Sequence, residues 1–370
     1  LVMKKFGKRA CIYQVRVATK LYEGKDVIGG APTGAGKTLS FFIPLLMALE
    51  DKLDKMSIIV TPLNLLGKQN VQTALEDAGL SAIAVSKENA NRGTFKAIEE
   101  GKYRVVVINP EILMGNQEVE NLWTKSRVTK RIMNFIFDEG HCIRQWSKFR
   151  KDYALLGNLR HLIPERIPFY VASATLPALV LVEIFETLKL HQTETVHIIY
   201  SNDRPEIHLM VRGLVCPANS FADLAFLIPK NHQPGDPPLP SFLVFFDNTK
   251  EAEAATKYLW SLLGSSLSSK VVWFHSMMTA EFRDEQVENL QEGKLWGLCC
   301  TDSFGMGMDI SGIQIVVQWK ATCDLCTLWQ RFGRAARRDG QTATVILLVE
   351  KKDVEEERLK AAERAASKKK

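Results

Sequence analysis

Short apolar runs rich in β-branched residues recur along the chain at intervals too long for hairpins. In the first half they occupy 57–60, 105–108, 135–137 and 169–172, and in the second 242–246, 271–274, 295–300, 313–318 and 344–349. Stretches of helical composition, such as 41–49 and 69–78, lie between them. Strands alternating with helices predict βαβ units, hence a mostly parallel sheet flanked by helices. The pattern occurs twice, so the expected fold class is α/β with two tandem domains. A polar stretch at 200–206 (Y-S-N-D-R-P-E) marks the join, after which a strand-like run opens at 207–215. The expected domains are 1–205 and 206–350, followed by a charged tail at 351–370 that reads as a solvated helix. The segment 231–240 carries four prolines, which excludes helix interior and central strand and predicts a surface loop.

Composition narrows the class without choosing the function. The 370 residues are enough for two domains that each bury a core. Hydrophobic residues at 46% and charged residues at 24% are ordinary for a globular protein, and no apolar stretch is long enough to span a bilayer. Lys and Arg outnumber Asp and Glu by 48 to 42, a net charge of +6 that suits a polyanionic partner but does not by itself call for one. The seven cysteines are scattered and odd in number, which predicts reduced thiols in an intracellular protein rather than a disulfide framework.

The clearest chemistry sits early. A-P-T-G-A-G-K-T, Ala31 to Thr38, follows a short apolar run at 26–28 and precedes an apolar helical stretch. Gly34 and Gly36 let backbone N–H groups approach phosphate oxygens with no Cβ in the way. The helix that follows would aim its positive end at the same phosphates. Thr33, Gly34, Ala35 and Gly36 are the expected cradle of a Walker A loop, and Lys37 the group that reaches the β- and γ-phosphates. The Thr38 hydroxyl is an expected ligand for Mg²⁺. ATP and Mg²⁺ are thus the expected cofactors, although Ala31 stands where the strict pattern has Gly.

About 100 residues after Lys37, an apolar strand runs into Asp138, Glu139, Gly140 and His141. A carboxylate at the end of a parallel strand points into the crevice where such sheets bind ligands. Asp138 is expected to hold Mg²⁺ and Glu139 to polarise the attacking water. Ser173, Ala174 and Thr175 end a further strand and bring two hydroxyls toward the same crevice. In the second half, T-D-S-F-G-M-G-M-D (Thr301 to Asp309) ends a strand, and Q-R-F-G-R-A-A-R-R (Gln330 to Arg338) is expected on a helix. Arg334 and Arg337 lie three apart and would share a helix face, as an arginine finger for a γ-phosphate requires. Arg331 and Arg338 fit better a basic face that meets solvent or a phosphodiester backbone.

These motifs, in this order and spacing, resemble superfamily 2 helicases from about Phe6 to Gly340, and RecQ-type DNA helicases in particular. Three stretches carry the likeness. They are D-E-G-H-C-I-R-Q-W-S-K-F-R-K-D-Y from Asp138 to Tyr153, F-G-M-G-M-D from Phe304 to Asp309, and G-R-A-A-R-R-D-G from Gly333 to Gly340. Gln14, 23 residues before Lys37, stands where that family places its adenine-reading glutamine. The resemblance implies two tandem RecA-like domains and Mg²⁺-dependent ATP hydrolysis. It also implies 3′→5′ translocation on single-stranded DNA, unwinding of partly duplex DNA, a monomer and, in a eukaryote, a nuclear location. It assigns Asp309 to the nucleotide and Ser173, Thr175 and Gln330 to coupling. Nucleic-acid contacts would come from Thr61, Pro62, Asn109, His141, Trp146, Phe149, Arg150, Thr301 and Phe304.

The chain departs from that family in places. Ala10-Cys11-Ile12-Tyr13 replaces the F-R-P that usually precedes the glutamine, Ala336 replaces a glycine, and the aromatic loop is one residue shorter between Trp146 and Phe149. No cysteine follows Cys326, so no zinc module is expected, and Cys323 and Cys326 read as ordinary thiols. A DEAD-box-type helicase acting on RNA shares the fold, but its carboxylate motif ends in Asp where this chain has His141. A translocase that hydrolyses ATP without separating strands is the other alternative. A non-catalytic scaffold is disfavoured by the intact Lys37, Thr38, Asp138, Glu139, Arg334 and Arg337.

Overall fold

A computed structural model describes residues 1–61, 75, 78–146, 150–304, 310–338, 340–354, 357 and 359. The chain divides into two compact units, Leu1–Asp203 and Arg204–Lys370. Pro62, Phe149 and Asp309 lie outside the described residues, as does most of the helical stretch expected at 69–78.

The first unit is built on a seven-stranded sheet of order β3-β4-β2-β5-β6-β1-β7. Its strands are β1 (Val27–Gly30), β2 (Met56–Val60), β3 (Ala82–Val85), β4 (Val105–Ile108), β5 (Ile132–Asp138), β6 (Phe169–Ser173) and β7 (Val196–Ile199). Every pairing is parallel. Parallel strands need a crossover between neighbours, and helices laid on both faces bury the sheet from each side. That is why the central strands read as unbroken apolar runs rather than alternating ones. All C-terminal strand ends therefore share one edge, which carries the residues following β1, β5 and β6. β3 and β7 are the edge strands. Their short, partly exposed runs escaped the sequence reading.

The second unit holds a six-stranded parallel sheet of order β10-β11-β9-β12-β13-β8. Its strands are β8 (Ile207–Gly213), β9 (Phe242–Phe245), β10 (Val271–Phe274), β11 (Gly297–Cys300), β12 (Ile315–Trp319) and β13 (Ala343–Val349). Alternation along β9 divides the core. Phe242 and Val244 join one apolar cluster, while Leu243 and Phe245 join the other. Local chemistry starts the helices. Asn248, Thr279 and Asp324 side chains cap Thr249–Leu263, Ala280–Gln291 and Leu325–Phe332 by accepting a first-turn N–H. The proline-rich segment 231–240 contains no helix or strand.

Candidate nucleotide and nucleic-acid site

β1 delivers the phosphate loop. Gly34 and Gly36 sit at φ +86° and +71°, the left-handed region that side chains disfavour, and the loop from Gly34 to Gly36 is exposed. Gly36 is also the N-cap of Lys37–Glu50, so the start of a 14-residue helix faces the loop's concavity. Lys37 folds back across the loop, its Nζ donating to Ala31 O at 2.8 Å and Pro32 O at 3.0 Å. Gln14 closes the loop from another helix, Ile12–Tyr22. Its Nε2 donates to Gly36 O at 2.9 Å, and its Oε1 accepts from Cys11 N at 2.9 Å. A side chain at 36 would be strained by the positive φ, and its Cβ, 2.7 Å from that Nε2, would push the Gln14 amide aside.

β5 ends in the carboxylates. Burial and the neighbouring Glu139 carboxylate push the Asp138 carboxyl up to about 7, against the pull of the Lys37 ammonium. Glu139 turns the chain at φ +51°, and Gly140 passes so close to β6 that a Cβ would meet Val171 Cγ1 at 2.2 Å. His141, carried under this turn, is fully buried. Its Nδ1 lies 2.9 Å from Ser173 Oγ and 3.4 Å from Glu139 Oε2, and its Nε2 lies 3.3 Å from Cys142 Sγ. Ser173 in turn donates to Thr175 O at 3.2 Å and accepts from Thr175 N at 3.1 Å. With the hydroxyl proton given to Thr175, the imidazole must supply its own from Nδ1. The ends of β5 and β6 are thereby joined into one polar network beside the phosphate loop.

The residues fit the cofactors expected of them. Glu139 Oε2 is buried and makes no hydrogen bond among the described residues, so it is an open acceptor of the kind a water satisfies. Asp138 and the exposed Thr38 offer hard oxygen donors, and Mg²⁺ commonly takes only one or two protein oxygens and keeps several waters.

Several expected nucleic-acid contacts need correction. His141 is 0% exposed and Phe304 1%, the first bonded to Ser173 and the second packed edge-on against Phe274 with ring centroids 5.1 Å apart. Neither side chain presents a surface to a strand. Thr61 and Asn109 are also buried, and Asn109 Oδ1 serves as a helix cap, accepting from Ile112 N at 2.8 Å. Trp146 ends a short helix, Cys142–Trp146, and stands edge-on to Tyr153 at 5.7 Å, with the Arg150 guanidinium 4.6 Å from its ring centre. Arg150 is paired with Glu111 at 2.9 Å, which anchors this aromatic segment to the helix after β4. Thr301 is half-buried, its hydroxyl 3.1 Å from that of Ser303.

In the second unit the arginine motif is not one helix. Leu325–Phe332 carries Gln330 but stops at Gly333; Arg334 follows in a turn and Arg337 in irregular backbone. Helical spacing therefore does not relate these two arginines. Ala336 stands between them at φ +50°, where glycine would be unstrained. Arg337 Nε donates to Gly333 O at 3.0 Å, and Arg334 is 8% exposed.

Arg331 also differs from expectation. It is 4% exposed, turned in on acidic partners rather than out to solvent. Its Nε donates to Asp302 Oδ1 at 2.8 Å, and its Nη1 donates to Asp247 Oδ1 at 2.9 Å and Gln318 Oε1 at 2.5 Å. One guanidinium thus ties together the ends of β9, β11 and β12. Arg338 is exposed, as expected. Sequence reasoning also missed Asp26, which accepts from Phe169 N at 2.7 Å and Arg160 Nη2 at 2.7 Å and so sets the entry of β1 beside β6.

Among the described residues, no helix is long and apolar enough to cross a membrane, and no group of three or more His, Cys, Asp or Glu side chains gathers as a metal site.

Comparison with known proteins agrees with the geometry. The DEAD/DEAH box helicase family matches residues 12–183, and the helicase conserved C-terminal domain matches 237–339. The chain is 29% identical over 338 residues to the probable ATP-dependent DNA helicase RecS of Bacillus subtilis, covering 90% of this chain and 63% of that protein. It is 26% identical over 344 residues to the ATP-dependent DNA helicase RecQ of the same organism, covering 92% and 53%. The chain thus spans somewhat more than half the length of these relatives. The crystal structure of the DUF1998 helicase MrfA bound to DNA shares the fold, with a TM-score of 0.74 at 16% identity over 94% of this chain and 50% of that one. Two parallel α/β units, a phosphate loop joined to a D-E-G-H strand end, and both helicase domains in tandem make this chain a RecQ-like member of the superfamily 2 helicases.

Proposed function

We propose that this chain is an ATP-driven motor on DNA, translocating 3′→5′ along a single strand and separating duplex ahead of it. The observation that carries the reading is the network at the ends of β1, β5 and β6. It joins the phosphate loop, a raised carboxyl, an open Glu139 oxygen and the His141–Ser173 pair at one edge.

Gly34 to Gly36 N–H groups receive the phosphates, and Lys37 leaves its loop carbonyls to meet the terminal phosphate. Glu139 orients the attacking water and takes its proton. Thr38 and Asp138 hold Mg²⁺, which when bound polarises the phosphoryl oxygens. Arg334 and Arg337 supply fixed positive charge for the transferred phosphate. Because Ser173 bonds both the imidazole that faces Glu139 and the Thr175 backbone, a change at the water-activating carboxylate reaches the end of β6. Trp146 and Arg150 form the base-sensing segment, with stacking by the indole. RecS and RecQ are named as DNA helicases, which supports DNA as the polymer; a putative RNA helicase of Acanthamoeba polyphaga mimivirus, 27% identical over 332 residues, keeps RNA as the alternative.

Strand displacement on DNA duplexes with 3′ or 5′ tails, with ATP hydrolysis measured in parallel, tests the reading. Displacement from 3′ tails alone is expected. Hydrolysis stimulated by single-stranded DNA without displacement would make the chain a translocase, and stimulation by RNA alone would reassign the polymer.

A further inference from the structure

A second connection runs from the Gln14 helix to the phosphate loop, buried beneath the first. Tyr13 and Gln14 are consecutive residues on the inner face of Ile12–Tyr22, 3% and 5% exposed. While Gln14 holds Gly36 O, Tyr13 reaches the next carbonyl, that of Lys37, through two further hydroxyls. Tyr13 OH lies 3.1 Å from Tyr170 OH, which lies 2.8 Å from Ser40 Oγ, which donates to Lys37 O at 2.5 Å. That last bond fixes the direction of the others. Ser40 spends its proton on the carbonyl and accepts from Tyr170, which accepts from Tyr13, so each hydroxyl finds an acceptor. The chain is dry: Tyr170 and Ser40 are fully buried, and Gly29 of β1 leaves the space it occupies. A Cβ at 29 would meet Tyr13 OH at 2.6 Å and the Tyr170 ring at 2.7 Å. Tyr200, edge-on to Tyr13 at 5.5 Å, closes the far side.

We propose that Tyr13, Tyr170 and Ser40 are positioning residues that hold the first turn of the phosphate-loop helix, and with it Lys37, at a fixed distance from the Gln14 helix. This rests on the reading of the loop as an ATP site. The physical argument is one of division of labour. The Gln14 amide gives one of its two N–H donors to Gly36 O, so a nucleobase engaged through the other pulls on the same side chain that holds the loop. The hydroxyl chain keeps the adjacent carbonyl in register while that happens. Two loop carbonyls held by two adjacent residues of one helix make the loop's position depend on that helix, independently of base contact.

The test is the double variant Tyr13→Phe with Tyr170→Phe in the full chain. Removing both phenol groups leaves no buried hydroxyl stranded, so the fold should survive, and Ser40 keeps its bond to Lys37 O. The KM for ATP is expected to rise about tenfold with kcat at saturating ATP within about twofold, because loop position and not chemistry is altered. The preference for ATP over GTP should be that of the parent, since Gln14 is untouched. An unchanged KM overturns the proposal. So does a fall in kcat and melting temperature together, which would mark the chain as packing only. Lys37→Ala is measured alongside. If that variant hydrolyses ATP as the parent does, the ATP-site reading itself fails. If Lys37→Ala is inactive while the double variant matches the parent, only the positioning role fails.

Discussion

Ser173 Oγ lies 2.9 Å from His141 Nδ1, and through this bond the strand that ends in the carboxylates is fastened to the strand beside it. The serine also bonds Thr175 at both its N–H and its carbonyl, so one hydroxyl organises the whole end of β6. Ser173→Ala removes these bonds in a fully buried setting. Chemical denaturation should show a loss of about 1–3 kcal/mol, the cost of leaving buried polar groups without that partner. Hydrolysis should fall as well, since His141 no longer holds its orientation beside Glu139. A stability equal to the parent's would mean that the network adds nothing to the fold.

Arg331 carries the equivalent burden in the second unit. Asp247 and Asp302 are partly exposed and can be solvated once the guanidinium is gone, but the buried Gln318 loses its partner and a buried side chain is deleted, so Arg331→Ala should cost about 1–3 kcal/mol. Arg331→Lys is also expected to destabilise, because a point charge cannot replace a planar fork that reaches Asp302, Asp247 and Gln318 together. Thermal unfolding of both variants checks this. A lysine variant as stable as the parent would show that charge alone suffices there.

Gly140→Ala places a methyl 2.2 Å from Val171 Cγ1. The strand end must move or the valine must leave its rotamer, at a cost of about 1–3 kcal/mol, and the Glu139 turn moves with it. Hydrolysis should fall further than the stability loss alone explains. Parent-like hydrolysis in a variant of lowered melting temperature would separate the turn from the chemistry.

The two parallel sheets were legible because strands covered on both faces must be apolar throughout, and runs such as those of β4 and β9 stand out for that reason. β3 and β7 were not, since edge strands are short and half-covered and carry a weak pattern. The phosphate loop and Asp138–Glu139 were legible because phosphate binding demands particular residues at particular spacing. The nucleic-acid contacts were less so. His141 and Phe304 sit in motifs next to the chemistry, but nothing in a linear sequence says whether such a side chain turns outward or supports its neighbours from beneath. Arg331 was misjudged for a related reason: its acidic partners, Asp247 and Asp302, lie 84 and 29 residues away. The break after Phe332 was equally hidden: Gly333 caps the helix at an ordinary φ of −64°, and Ala336 beyond it takes a backbone conformation that alanine disfavours.

Asp138 gives a pH dependence of definite sign. Its carboxyl is pushed up to about 7 in the folded protein, whereas in the unfolded chain it ionises near the ordinary aspartate value of 3.8. Between those values the folded state keeps a proton that the unfolded chain has lost, so this group lowers stability as pH rises. Asp138→Asn removes the effect. The variant's advantage in melting temperature should grow from about pH 5 to about pH 8, while hydrolysis is lost. An advantage that stays flat across that range would contradict the raised carboxyl.

The most direct check of the motor reading is steady-state ATP hydrolysis by the parent and by Lys37→Ala, each with and without single-stranded DNA, with DNA binding followed separately. The parent should hydrolyse ATP faster when DNA is added, and the variant should lose hydrolysis under both conditions while still binding the strand. Hydrolysis by the variant at the parent's rate, or a parent indifferent to DNA, would contradict the account.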